Sequence, residues 1–433
     1  MCPPHDGLPR IGDSIKIDAC TLLPRCKKII NLQIIFMNKI FFFIATLLLC
    51  SACTSRPEGF VIRGSFPGLQ DGMMVSLRSM EGGAILAMDT IQDGKFELHG
   101  VTASPQYCNL IISSSTSSSD MSKMVNIYMF LDNSELTVNA AHLDSLQFVH
   151  PLISETAIPK ARVEGGPLQR EFYEYRNTLT PLLLTASEVN NALAMLNMQN
   201  DQYTTEEYNN RFDELYPKKL TTEAAIDAAK MEFIRQHPQS PVSLFIAEGL
   251  LNTTFIRTAE EIKELTRIAE QIEDTVRRPR VLKMAEIAKT LYKGASYKDI
   301  ELTDPTGKTV KLSQYILPDH YTLVDFWASW CGPCRWAIPD VKQIYKRYPQ
   351  DRLSVISISF DQKKTDWETA MKEEAMPWTQ LWTGNRDQVT AAQRAYNISG
   401  IPRLMLIAPD GKIVFSGNDA NALRVAVEEC LGK

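Results

Sequence analysis

Two cysteines with two residues between them, Cys331-Gly332-Pro333-Cys334, stand where an apolar run over 320–327 gives way to a helical pattern over 332–348. A strand that turns into a helix at this point sets Cys331 beside the unpaired N–H groups and positive dipole end of the helix. A thiolate is stabilised there, so Cys331 is expected to be the nucleophile, with a lowered pKa. Pro333 suits a first helical turn, where its missing N–H costs little. Cys334, one turn further on, is placed to attack a mixed disulfide on Cys331. Other uses of such a pair lack their partners. A structural zinc site needs two more ligands, and no second Cys or His pair lies nearby. Haem attachment needs His directly after the second cysteine, where this chain has Arg335. An inert structural disulfide stays open on spacing alone; the flanking residues favour redox work.

The pair lies within a strand–helix alternation that runs from 297 to 433. Ile300–Leu302 and Thr309–Leu312 flank a Pro-Thr-Gly turn. Buried strands are expected at His320–Trp327 and Leu353–Phe360, and helices at Gly332–Tyr348, Asp366–Glu374, Asp387–Tyr396 and Asn421–Cys430. Pro339 predicts a kink in the first of these helices. Leu404–Ile407 and Lys412–Phe415 form a hairpin across Ala408–Gly411. Such a pattern describes helices around a central sheet.

Val324-Asp325-Phe326-Trp327-Ala328-Ser329-Trp330-Cys331-Gly332-Pro333-Cys334 resembles the active-site segment of thioredoxin, and Gly400-Ile401-Pro402 resembles that family's cis-proline loop. The whole of 297–433 is similar to exported, membrane-anchored thiol-disulfide reductases of the TlpA/ResA type. The resemblance implies an α/β thioredoxin fold, with Cys331 attacking and Cys334 resolving. It implies that Asp325 is a buried acid whose raised pKa lets it take a proton from the resolving thiol; a strand Asp that only caps or pairs is the other reading. Trp330 would cover the active disulfide as an apolar contact surface, against simple core packing. Gly332, Pro333, Ile401 and a cis Pro402 would meet an extended substrate segment. Two positions depart from the family pattern. Ala337 stands where a Glu is frequent, which leaves acid help to Asp325. Arg403 replaces the usual Thr after the proline; it would stabilise the thiolate or select acidic targets, or be a solvated rim cation.

The rest of the chain suggests an exported, multidomain protein. Ile40–Cys50 is too short to span a bilayer but fits the apolar core of an export signal, with Met37-Asn38-Lys39 as its basic start. Residues 37–52 are therefore expected to be a signal peptide and 1–36 a mis-started upstream segment. Cys50-Ser51-Ala52-Cys53 resembles a lipobox with Cys53 as the lipidated residue; a plain signal peptide cut near Ala52 is the alternative. Residues 53–433 hold 40 Lys/Arg against 48 Asp/Glu, an acidic balance that gives no reason to expect nucleic acid. Residues 57–164 read as a β-sandwich-like lead-in domain, with hairpins at Thr90–Leu98 (on Asp93-Gly94) and between Val125–Phe130 and Leu136–Val138. Cys108, in an apolar strand, reads as a core thiol, and Cys430 as a packed one. Residues 166–295 read as an α-helical spacer on one of its neighbours, punctuated by Pro217, Pro238 and Pro241, with Arg277–Arg280 a solvated helix start. The lead-in and spacer resemble those of lipoproteins from Bacteroidetes.

These readings combine into an expectation: a periplasmic, membrane-anchored protein-disulfide reductase. Its partners would be oxidised client proteins of the cell envelope and a membrane electron donor that re-reduces the pair. No metal or organic cofactor is called for. A peroxiredoxin-like peroxidase is the first alternative, though Ser329-Trp330-Cys331 does not supply the Thr that a peroxidatic cysteine needs. An envelope binding lipoprotein on a thioredoxin scaffold is the second.

Overall fold

The computed structural model describes residues 59–113, 124–146, 160–252 and 256–432. The expected signal segment 37–52, the upstream stretch 1–36 and Cys53 lie outside them. Among the described residues no helix is long and apolar enough to cross a membrane.

The first part is two four-stranded sheets. Strands β1 (Phe60–Gly64), β4 (Phe96–Gly100), β7 (Glu135–Ala140) and β8 (Ala161–Glu164) form one, in the order β4-β1-β7-β8. Strands β2 (Met74–Ser79), β3 (Ile85–Thr90), β5 (Gln106–Ser113) and β6 (Met124–Leu131) form the other, in the order β3-β2-β5-β6. Alternate residues of both, among them Ile62, Leu98, Val138, Val75, Leu77 and Leu110, meet in one core. Cys108 is buried in that core, and burial pushes its thiol up to about 12. Both expected hairpins are corrected. Asp93 and Gly94 do take positive φ, 51° and 65°, and close a tight turn. That turn carries only an isolated Gln92–Lys95 bridge, and its flanking strands belong to different sheets. β6 and β7, either side of Asp132-Asn133-Ser134, are divided in the same way. A turn sequence fixes its own few dihedrals; burial of the flanking apolar faces chooses the partner strand.

Five helices follow: α1 (Pro167–Met198), α2 (Thr205–Gln236), α3 (Pro241–Leu251), α4 (Ala259–Gln271) and α5 (Arg277–Ala288). Pro217 does not break α2. Tyr216 on one side and Ile226 on the other are buried, and this packing holds the helix through the lost hydrogen bond. The helices pack on both neighbours rather than one. Phe172, Leu179 and Phe233 share a core with Tyr107 and Phe130 of the sandwich, whereas Val189, Leu193 and Tyr216 join the core of the last region. Arg277 is not solvated: it is 1% exposed, paired with Glu81 of the sandwich and with Glu248 of α3 (2.9 Å), and its guanidinium lies over the Phe245 ring. Arg280 adds contacts to both carboxylates, 3.3 and 3.1 Å. Removing one partner of a buried pair leaves an uncompensated charge. Glu81→Ala is therefore expected to cost about 3 kcal/mol in guanidinium unfolding, and a loss below about 0.5 kcal/mol would show that the cluster is solvated.

The last region is a seven-stranded sheet: β9 (Glu301–Thr303), β10 (Thr309–Lys311), β11 (Tyr321–Trp327), β12 (Leu353–Ser359), β13 (Thr379–Trp382), β14 (Arg403–Ile407) and β15 (Ile413–Gly417), in the order β10-β9-β13-β12-β11-β14-β15. Its helices are α6 (Gly332–Arg347), α7 (Lys364–Glu374), α8 (Arg386–Tyr396) and α9 (Ala420–Leu431). β11 is central, parallel to β12 and antiparallel to β14. This is the expected thioredoxin arrangement, and β13 is the strand the sequence pattern did not suggest. Pro339 lies inside a continuous α6.

Candidate redox site at the start of helix α6

β11 runs buried through Trp327, and five residues later, at Gly332, the chain enters α6. Cys331 is the N-cap of that helix. Its Sγ accepts the Cys334 N–H at 3.2 Å, the place where a serine or aspartate oxygen usually satisfies a helix-terminal donor. Cys331 and Cys334 are joined as a disulfide, and both are buried, while Gly332 and Pro333 between them are exposed. The opened site therefore gives a sulfur anion one direct N–H donor and the positive end of a 16-residue helix.

The other expected residues gather here. The Ile401–Pro402 bond is cis, and the Ile401 carbonyl oxygen is 3.7 Å from Cys331 Sγ. Ile401 and Pro402 are half-buried. Trp330 is 67% exposed, which excludes its core-packing reading. Arg403 opens β14 opposite Phe326 and is half-buried, not a solvated rim cation; burial pulls its guanidinium down from the ordinary value. Cys430 is partly buried near Tyr321, and burial raises its thiol.

Asp325 lies at the centre of β11, paired with Ser357 of β12 and Leu404 of β14. Its carboxylate accepts the Ser357 hydroxyl (3.0 Å), and Ser357 accepts the Trp378 indole N–H (2.9 Å). Trp378 packs on Tyr345 of α6 at 5.4 Å between ring centres, so this chain lies on the sheet face that α6 covers. Its strand neighbour Phe326 meets Tyr396 of α8 on the opposite face. Burial pushes the Asp325 carboxyl up to about 7, with the Ser357 hydrogen bond pulling the other way. A carboxyl poised there exchanges protons at neutral pH.

One residue of the site was not foreseen. Asp361 follows β12 and is 2% exposed, and its carboxylate accepts three hydrogen bonds. Ser329 donates its N–H (3.0 Å) and its hydroxyl (2.6 Å), and Ser359 its hydroxyl (2.6 Å). Trp382 donates its indole N–H to the Asp361 carbonyl at 2.6 Å. Asp361 thereby ties down the loop that delivers Trp330 and Cys331. The available signal was an acid just past an apolar strand, at the carboxyl end of a strand within an α/β pattern, where sites collect in α/β folds.

Comparison with known proteins bears on this geometry. The family described as Thioredoxin-like matches residues 319–413, and one described as a domain of unknown function, DUF4369, matches 60–172. The thiol-disulfide oxidoreductase ResA of Bacillus subtilis is 25% identical over 125 residues, 29% of this chain. The chain spans 66% of that relative's own length, just under two thirds. A thiol-disulfide oxidoreductase from Bacteroides fragilis is 30% identical; the alignment covers 32% of this chain and 100% of that one, with a TM-score of 0.29. The thioredoxin domain of a thiol-disulfide oxidoreductase from Bacteroides vulgatus is 29% identical, with 33% and 99% covered and a TM-score of 0.30. Residues 319–413 thus carry a thioredoxin-like domain, and the C-terminal α/β region of the chain is similar to thiol-disulfide oxidoreductases of the ResA type.

Proposed function

We propose that the protein reduces disulfides of client proteins in the cell envelope by dithiol exchange, held at a membrane through lipidated Cys53. The observation that carries the reading is Cys331 at the N-cap of α6, bonded to Cys334 and bordered by exposed Gly332, Pro333 and Trp330. In the reduced protein the Cys331 thiolate attacks one sulfur of a client disulfide. A Cys331–client bond forms and the client's other sulfur leaves as a thiolate, which is protonated. Cys334 gives its proton to the Asp325 carboxylate and attacks the Cys331 sulfur. The mixed disulfide breaks, the client leaves with both sulfurs reduced, and the Cys331–Cys334 disulfide remains. Two electrons have passed to the client, and a membrane dithiol donor restores the pair.

Gly332, Pro333, Ile401 and Pro402 form the rim that an extended client segment meets, with Trp330 as its apolar cover. Arg403, half-buried beside this rim, favours client segments with an acidic residue near the disulfide. The test is catalysed reduction of the interchain disulfides of insulin by dithiothreitol, followed by turbidity. The protein should accelerate it catalytically, at substoichiometric concentration. A rate equal to the uncatalysed one would overturn the reading.

A further inference from the structure

Trp336 is 78% exposed, the barest large apolar side chain in the last region and more exposed than Trp330. It stands on the first turns of α6, four residues after Gly332 and three after Pro333, and so shares a face with both. Helical side chains lean toward the N-terminus of their helix. The indole therefore leans toward the exposed Gly332-Pro333 step, and the exposed Trp330 precedes that step by two residues in the chain. Its sequence neighbour is handled differently: Arg335 is pinned by Glu374 (2.6 Å) and Glu373 (2.9 Å) of α7, so its cation is held by two carboxylates of that helix. The exposed residues that flank the two cysteines in the chain, Trp330, Gly332, Pro333 and Trp336, carry no charge and include two indoles.

We propose that Trp336 is a specificity-determining residue, an anchor that selects clients whose disulfide is flanked by apolar or aromatic side chains. This rests on the reductase reading above and adds the class of client. The surface is continuous with the reactive sulfurs, so whatever covers it is presented to Cys331. An exposed tryptophan in a bare patch is the residue type that most often dominates a protein interface. A client segment with an apolar side chain next to its cysteine would bury that side chain on Trp336 while its sulfur reaches Cys331.

The experiment compares two synthetic peptides with the same disulfide loop, one flanked by Phe and Leu, the other by Ser, together with oxidised glutathione as a small disulfide. Reduced wild-type protein should reduce the apolar-flanked peptide with the higher kcat/KM. Trp336→Ala should cut that value about tenfold, through KM, and collapse the preference between the peptides; Trp336→Phe should restore most of it. The reduction potential of the Cys331–Cys334 pair should not move. Equal wild-type rates on both peptides, or an equal loss on both in Trp336→Ala, would overturn the inference. So would a Trp336-dependent dimer in sedimentation, which would make a second copy the occupant. If wild-type protein reduces neither peptide nor glutathione disulfide, it is the reductase reading that fails.

Discussion

Cys331→Ser should abolish insulin reduction, with a fall of at least about 10³-fold to the uncatalysed rate, because among the described residues no other thiol caps a helix N-terminus. Cys108 is buried in the sandwich core and Cys430 lies on α9, so neither replaces it. Cys334→Ser should behave differently. Cys331 still attacks, but the mixed disulfide is not resolved, and the variant accumulates covalent adducts with its clients. Non-reducing electrophoresis of cells expressing Cys334→Ser should show bands that vanish with dithiothreitol and are absent from the double variant. Adducts on Cys331→Ser instead of Cys334→Ser would reverse the assigned roles. Identification of the trapped proteins by mass spectrometry also tests whether the clients belong to the envelope.

Asp325→Asn should slow the resolving step by about 10²-fold at pH 7, the order of one general base. Wild-type resolution should rise with pH through about 7, as the carboxyl ionises, and then level off. In Asp325→Asn that limb should disappear, leaving a rise only toward the intrinsic thiol range near pH 8.5. The same substitution should stabilise the fold. A carboxyl raised to about 7 by burial binds its proton more tightly folded than unfolded, so stability falls as pH climbs from about 4 to 7. At one pKa unit per 1.36 kcal/mol, Asp325→Asn would recover up to roughly 4 kcal/mol above pH 7 and nothing below about pH 4. Activity down and stability up in one variant separates a proton carrier from a residue that only holds the strand. Guanidinium unfolding at pH 5 and pH 8, with stopped-flow thiol release, measures both. A variant less stable at pH 8 would mark Asp325 as structural.

The catalytic end of this fold was largely legible because its signals are local. A cysteine at an N-cap, a proline in the first turn and an apolar strand just before them lie within about a dozen residues. The cis-proline loop and Asp325 came through the resemblance. What the sequence did not disclose depends on residues far apart. Asp361 grips Ser329 from 32 positions away, and Glu81 meets Arg277 across nearly 200 residues. Neither acid carries a periodic signal, so the arginine read as solvated and neither acid was singled out. The Asp93-Gly94 turn was visible, but its strands were assigned to one sheet because a turn sequence is silent about which face gets buried. Trp336 read as one more residue of a helix, since exposure is set by what fails to pack against it.

The central claim is the direction of electron flow, and the reduction potential of the Cys331–Cys334 pair tests it most directly. It is measured by equilibrating the protein with glutathione and dithiothreitol buffers and reading the reduced fraction by thiol alkylation. The Gly-Pro pair and the single N–H donor to Cys331 predict a thioredoxin-like value, on the order of −270 mV. A value near −120 mV, that of a strong oxidant, would contradict the account and make the protein a donor of disulfides.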